Sequence, residues 1–120
     1  MQGSYFHFGL QYLGSLDIPG DQFREFKAPF DMQLVKITAN AANTTTCIID
    51  IGTATDTDAY LDGVTLTGAT AAPTTYGQSD FVNGQFPAIP AGTVVQITID
   101  HDGGGGADVD DLNMDLWFTY

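Results

Sequence analysis

Strict alternation of apolar and polar residues near the C-terminal end is the feature that most restricts what this chain can fold into. Val95, Ile97 and Ile99 alternate with Gln96, Thr98 and Asp100. Leu112, Met114, Leu116, Phe118 and Tyr120 alternate with Asn113, Asp115, Trp117 and Thr119. A period of two belongs to strands with one dry and one wet face. Residues 87–120 therefore read as a strand, an acidic glycine loop and a closing strand, a hairpin around which the fold is organised. Ending on an apolar residue predicts a last strand held within a sheet, with Tyr120 structural. No window of about 11 residues carries a helical stripe of apolar residues without Gly, Pro or a Thr/Asn cluster breaking it.

The earlier segments follow the same period. Phe6, Phe8 and Leu10 face one way and Tyr5, His7 and Gly9 the other, which predicts a first strand over residues 1–13 with Gly9 as a possible bulge. Pro19-Gly20 marks a tight turn. Pro29 predicts a break or an edge, and the adjacent Leu34 and Val35 predict a phase change at a bulge. Ile48 and Ile49 predict a strand covered on both faces. Two short strands, Ala59–Leu61 and Val64–Thr67, are expected on either side of an Asp62-Gly63 turn, and residues 68–84 as an exposed functional loop. About eight short strands between turn signals predict an all-β, antiparallel β-sandwich, jelly-roll-like in preference to immunoglobulin-like. A chain of 120 residues predicts one domain spanning 1–120.

With 43% apolar residues the chain can build a core without staples, and the single Cys47, set in TTTCIIDIG, reads as buried filler that cannot form an internal disulfide. No signal peptide and no apolar span long enough for a membrane are found, so synthesis in a cytoplasm and no membrane partner are expected. The net charge is −12, which makes nucleic acid a poor partner. Residues 1–40 set Asp17, Asp21, Glu25 and Asp31 against Arg24, Lys27 and Lys36, a net of −1, and the other −11 falls on residues 41–120. Such a distribution fits a solubility device, or a particle that stays apart from its own kind until its near-neutral side meets a fixed partner.

The aspartates raise the question of metal or acid–base chemistry. Asp100, Asp102, Asp108, Asp110 and Asp111 crowd one loop and Asp56, Asp58 and Asp62 another. The first, DHDGGGGADVDD, offers hard oxygen ligands for Ca²⁺ but lacks the spacing and closing Glu of an EF-hand, so Asp100, Asp102, Asp108 and Asp110 are weak metal candidates and no cofactor is expected. Gly103–Gly106 lacks the Lys and Ser/Thr of a phosphate loop. Cys47 has no neighbouring base, and Ser4, Ser15 and Ser79 lie in no nucleophile elbow, so no enzyme activity is expected. Trp117, Tyr5, Tyr12, Tyr60 and Tyr76 could form an aromatic platform. Trp117 stands opposite Leu116 and Phe118 by alternation, which suits a sugar ring, a subunit contact or a covered sheet face equally.

The order of these motifs resembles small bacteriophage virion proteins. It is carried by LGSL-PG, FKAPFDMQLVKITANA, IIDIG, IPAGTVVQITIDHDG and DLNMDLWFTY, which together cover most of the chain. The resemblance implies a jelly-roll or related sandwich that decorates capsids or forms fibre and receptor-binding heads, and it brings no catalytic residues. It implies a decoration or cement protein on the outer surface of the head, with the major capsid protein as partner and a homo-oligomer, a trimer foremost, as its state. Arg24, Lys27 and Lys36 are the candidate docking residues. The alternative is a receptor- or glycan-binding tip module of a fibre or tail, with Trp117, Tyr76 and the 68–84 loop as contacts.

Overall fold

The structure, a computed structural model, describes residues 4–16, 22–42, 47–66, 73–100 and 109–120. Among them nine strands form two antiparallel sheets: β1 (Tyr5–Leu16), β2 (Gln22–Lys27), β3 (Met32–Asn40), β4 (Cys47–Gly52), β5 (Leu61–Leu66), β6 (Thr74–Tyr76), β7 (Ala88–Ile89), β8 (Val94–Asp100) and β9 (Val109–Thr119). One sheet has the order β1-β9-β3-β6, with β7 also paired to β3, and the other has the order β2-β8-β4-β5.

With the two-residue β7 set aside, the pairs β1·β9, β2·β8, β3·β6 and β4·β5 are those of one long hairpin whose tip lies between β4 and β5. Rolling that hairpin up adds the contacts β3·β9 and β4·β8. This is the jelly roll, and the expected all-β antiparallel sandwich is the observed fold. Alternation does its work here. Leu112, Met114, Leu116 and Phe118 from β9 face Val95, Ile97 and Ile99 from β8 in a shared interior, together with Leu34, Ile37, Ile49, Ile51, Leu61 and Leu66. Each of these side chains removed from water contributes roughly 1.5–3 kcal/mol.

Three bulges adjust the phase. Between Leu34 and Lys36 an extra residue in β3 lets Met32 and Leu34 and then Ile37 and Ala39 all face inward, at the place the adjacent apolar pair marks in the sequence. Gly9, by contrast, lies in unbroken register with Asp115. The β1 irregularity falls between Tyr12 and Ser15, where Gly14 has φ +80 and its N–H donates to Asp111 Oδ1 at 2.6 Å. Asp62-Gly63 is not a turn but a bulge inside the single strand β5. Gly63 takes φ +60 and donates its N–H to Asp50 Oδ1 at 2.6 Å. A turn and this bulge need the same positive φ, so the dipeptide alone does not separate them.

Two further expectations change. The β8–β9 segment is not a hairpin: β8 pairs with β2 and β4, and β9 with β1 and β3, in opposite sheets. Alternation fixes which face of a strand is dry but not which sheet holds it. Of the stretch expected as an exposed loop, residues 73–84 supply β6 and two short 3-10 turns, Gln78–Asp80 and Val82–Gly84, and bury Tyr76 and Phe81. The Pro19-Gly20 turn and the Gly103–Gly106 run lie outside the described residues.

Candidate functional site

The two long ladders of the first sheet place His7, Trp117 and Lys36 side by side on its outer face, since Trp117 is opposite His7 on one side and Lys36 on the other. Ser4 and Tyr120 exchange both backbone hydrogen bonds at 3.0 Å. The antiparallel pattern then makes His7–Trp117 a non-hydrogen-bonded pair, the kind whose side chains approach most closely. Accordingly the imidazole and indole centroids are 4.3 Å apart with their planes at 37°.

His7 also reaches diagonally to β9, with Nε2 2.7 Å from Asp115 Oδ1. An ionised carboxylate can only accept, so Nε2 carries the hydrogen. The bond passes over Gly9, where a Cβ would stand 3.2 Å from both Asp115 Oδ1 and His7 Cε1. Gly9 is therefore a space for this pair rather than a bulge. Beyond the indole, Tyr5, Val35, Lys36 and Trp117 line an open depression of about 440 Å³, with Tyr5 70% exposed. The β3 bulge shapes it, because it turns both Val35 and Lys36 toward Trp117. An aromatic floor, one ammonium and an already paired carboxylate can stack a ring and hold one acceptor or anion. The alternation placed Trp117 outward. Its neighbours became visible only with the register.

The other candidates are more dispersed. Arg24 and Lys27 share the edge strand β2, whereas Lys36 belongs to the opposite sheet. Phe26 packs inward against Phe8 and Phe118, so Lys27 points outward from its sheet. Arg24 sits on the inward side at the sandwich margin, with its guanidinium 4.3 Å from the Tyr12 ring centroid and Nη1 donating to Phe23 O at 3.0 Å. The three cations thus do not form one patch. Tyr76 is 6% exposed and its hydroxyl donates to Thr65 O at 3.4 Å, tying β6 to β5 across the sheets. That burial, followed by the charges of Asp80 and Cys47, pushes its phenol up, and it presents no ring face to a glycan.

Of the metal candidates, Asp102 and Asp108 lie outside the described residues. Asp100 ends β8 and Asp110 stands near the start of β9 in the other sheet. Among the described residues no three His, Cys, Asp or Glu side chains gather as ligands would. In the β4–β5 turn, a hydrogen bond that the protonated Asp56 carboxyl donates to Asp58 raises it above the usual range. Gly52 lies beneath this turn, where a Cβ would collide with the Asp56 carbonyl. Cys47 is buried, and that desolvation, with a smaller part from Asp100, pushes its thiol up to about 12.

No family model and no curated protein matches the sequence. In fold the chain is similar to a chain of the solved structure "Cyanophage Pam1 capsid asymmetric unit", with a TM-score of 0.53 and 12% identity, over 98% of this chain and 85% of that one. At that identity the likeness is one of fold.

Proposed function

We propose that this protein is a phage virion structural protein, a decoration or cement subunit that binds the outside of the head through the major capsid protein and stabilises it. The observation that carries the reading is the likeness in fold between this jelly roll and a chain of a cyanophage capsid structure, over 98% of this chain. The order of sequence motifs supports the same class. Such a subunit acts by burying surface and not by turnover. An interface of about 1,600 Å² is sufficient for specific docking, and repeated sites on a shell multiply its effect. The acidic chain opposes non-specific aggregation at the concentrations of an infected cell. A homo-oligomer is part of the reading.

Imaging of purified virions tests it: the protein is found on the head, and adding it to bare shells raises their melting temperature. Its absence from every particle overturns the reading. Reversing charge at Arg24 and Lys27 together, and separately at Lys36, identifies the docking side, because these groups lie on different sheets. Loss of occupancy from one set alone assigns the face.

The depression at Trp117 favours a second reading, a receptor- or glycan-binding tip module. Trp117 is the only tryptophan, so its fluorescence reports directly on a ligand. A saturable change with host-surface glycan that is absent in Lys36→Ala, together with loss of the binding heat in calorimetry of Trp117→Phe, supports this reading. Binding to shells but not to cells or glycans rejects it.

A further inference from the structure

Among the described residues five strands, counting the two-residue β7, form the margins of the two sheets, and only one of them is unguarded. At the margins of the second sheet, β2 carries Arg24, Glu25 and Lys27, and β5 carries Asp62 beside its bulge. At the far margin of the first, β6 has three residues. β1 has 12 residues, YFHFGLQYLGSL, with no Asp, Glu, Lys or Arg in a chain of net charge −12. Among the described residues no strand pairs with its outer side. Natural margins are normally protected by charge, shortness, proline or bulges, because a bare row of N–H and C=O groups is a template for another strand. β1 has only the bulge after Tyr12, which confines the bare row to the part before it.

The register shows which groups are bare. Ser4 exchanges both bonds with Tyr120, so Phe6, Phe8 and Leu10 direct their backbone groups toward β9, and Tyr5, His7, Gly9 and Gln11 direct theirs outward. The side chains leave room for a partner. The bond to Asp115 draws His7 over β9 and away from the margin, and Gly9 has none. Among the described residues the two most exposed large apolar side chains, Leu13 at 79% and Tyr5 at 70%, are both on β1.

From this arrangement we infer that β1 is a docking margin for β1 of a second copy of this chain, in an antiparallel pair about a two-fold axis at Phe8. In that register Tyr5 is opposite Gln11 of the second copy and His7 is opposite its Gly9. All four outward residues are then used, in a ladder of about eight hydrogen bonds. No other shift satisfies all four from both copies. The self-pairing also suits the charge: two strongly acidic chains approach most easily along a strand that has none. The first sheets of the two copies become one continuous sheet. A two-fold contact takes the place of the three-fold arrangement that the resemblance implies, and it holds whatever the pair attaches to.

Sedimentation equilibrium of the full chain at physiological salt, compared with Gln11→Pro, tests the inference. The Gln11 N–H faces away from β9, so proline removes an intermolecular donor without touching the β1·β9 ladder. The expected result is a dimer whose dissociation constant rises at least about tenfold in Gln11→Pro. A spin label at Gln11→Cys, independent of whether the proline variant folds, should give a distance between copies of about 20 Å, six residues along the strand at about 3.4 Å each. A monomer at high micromolar concentration overturns the inference. So does a trimer or other oligomer that a folded Gln11→Pro leaves intact, or a label distance that does not fit this register.

Discussion

The two sides on which the sheets part are closed by different means. On the β1–β2 side the closure is aromatic. Phe26 stacks on Phe8 at 4.6 Å and meets Phe118 edge-on at 5.5 Å, while Phe6 bridges Phe26, Phe30 and Phe118 at 5.7–5.9 Å. Arg24 covers Tyr12 at the end of this seam, and the buried Tyr12 hydroxyl has no hydrogen-bond partner among the described residues. On the β5–β6 side one phenol spans the gap, with Tyr76 bonded to the β5 backbone beside the aliphatic Leu66 and the Cys47 thiol. Dispersion between many ring atoms holds one margin, and a single directed bond over a small apolar floor holds the other. The aromatic margin should tolerate the loss of any polar group and fail on loss of a ring. The other should respond to one oxygen atom and to pH.

The largest test of that difference is Phe118→Ala, which removes the ring shared by both sheets and should cost about 3–5 kcal/mol in urea unfolding. A cost below about 1 kcal/mol would mean that the seam does not hold the margin. Next comes alkaline pH. Burial raises the Cys47 thiol to about 12 in the folded chain, so the unfolded chain releases that proton first and stability falls as pH rises from about 9 toward 12. Tyr76 and Tyr60, also raised by burial, act in the same direction. In Cys47→Ala the slope of melting temperature against pH should be visibly shallower over that range, whatever the packing cost at neutral pH. An unchanged slope would place the titration elsewhere.

A smaller and sharper contrast uses one substitution twice. Tyr76→Phe should cost about 1 kcal/mol by deleting the Thr65 bond, and Tyr12→Phe should be neutral or slightly stabilising, because it removes a buried hydroxyl that has no partner. Equal costs would erase the distinction between the sides. Smallest is Arg24→Ala, where loss of the guanidinium over the Tyr12 ring should cost about 0.5–1 kcal/mol, seen as a shift of a few degrees or less in melting temperature.

How much of this was legible depended on distance along the chain. The dry faces of β1, β8 and β9 follow from alternation, as do the bulge beside Leu34 and the outward Trp117. Pairing was less accessible. β8 and β9 are neighbours in sequence but lie across the core, because a jelly roll joins strands of opposite sheets at nearly every turn. Tyr76 stands in a Thr- and Ala-rich stretch that reads as exposed, and only the approach of β5 buries it. Gly9 and Gly63 each have a role other than the expected one for a local reason: glycine can serve a bulge, a turn or a neighbour's side chain, and only the positions of Asp115 and Asp50 decide between them. The platform around Trp117 combines residues from three strands, so no single segment announces it.

The long-hairpin arrangement of strands also has a consequence in time. Only β4·β5 joins strands that follow one another closely, so the tip is where loop closure costs least and a nucleus forms most readily. Each further rung, β3·β6, then β2·β8, then β1·β9, encloses a longer span of chain. The β1·β9 ladder, which carries both the Trp117 platform and the bare margin, is therefore completed last on this route. Surfaces suited to association appear only after the interior has closed, which shortens the interval in which an unfinished chain could be captured by another.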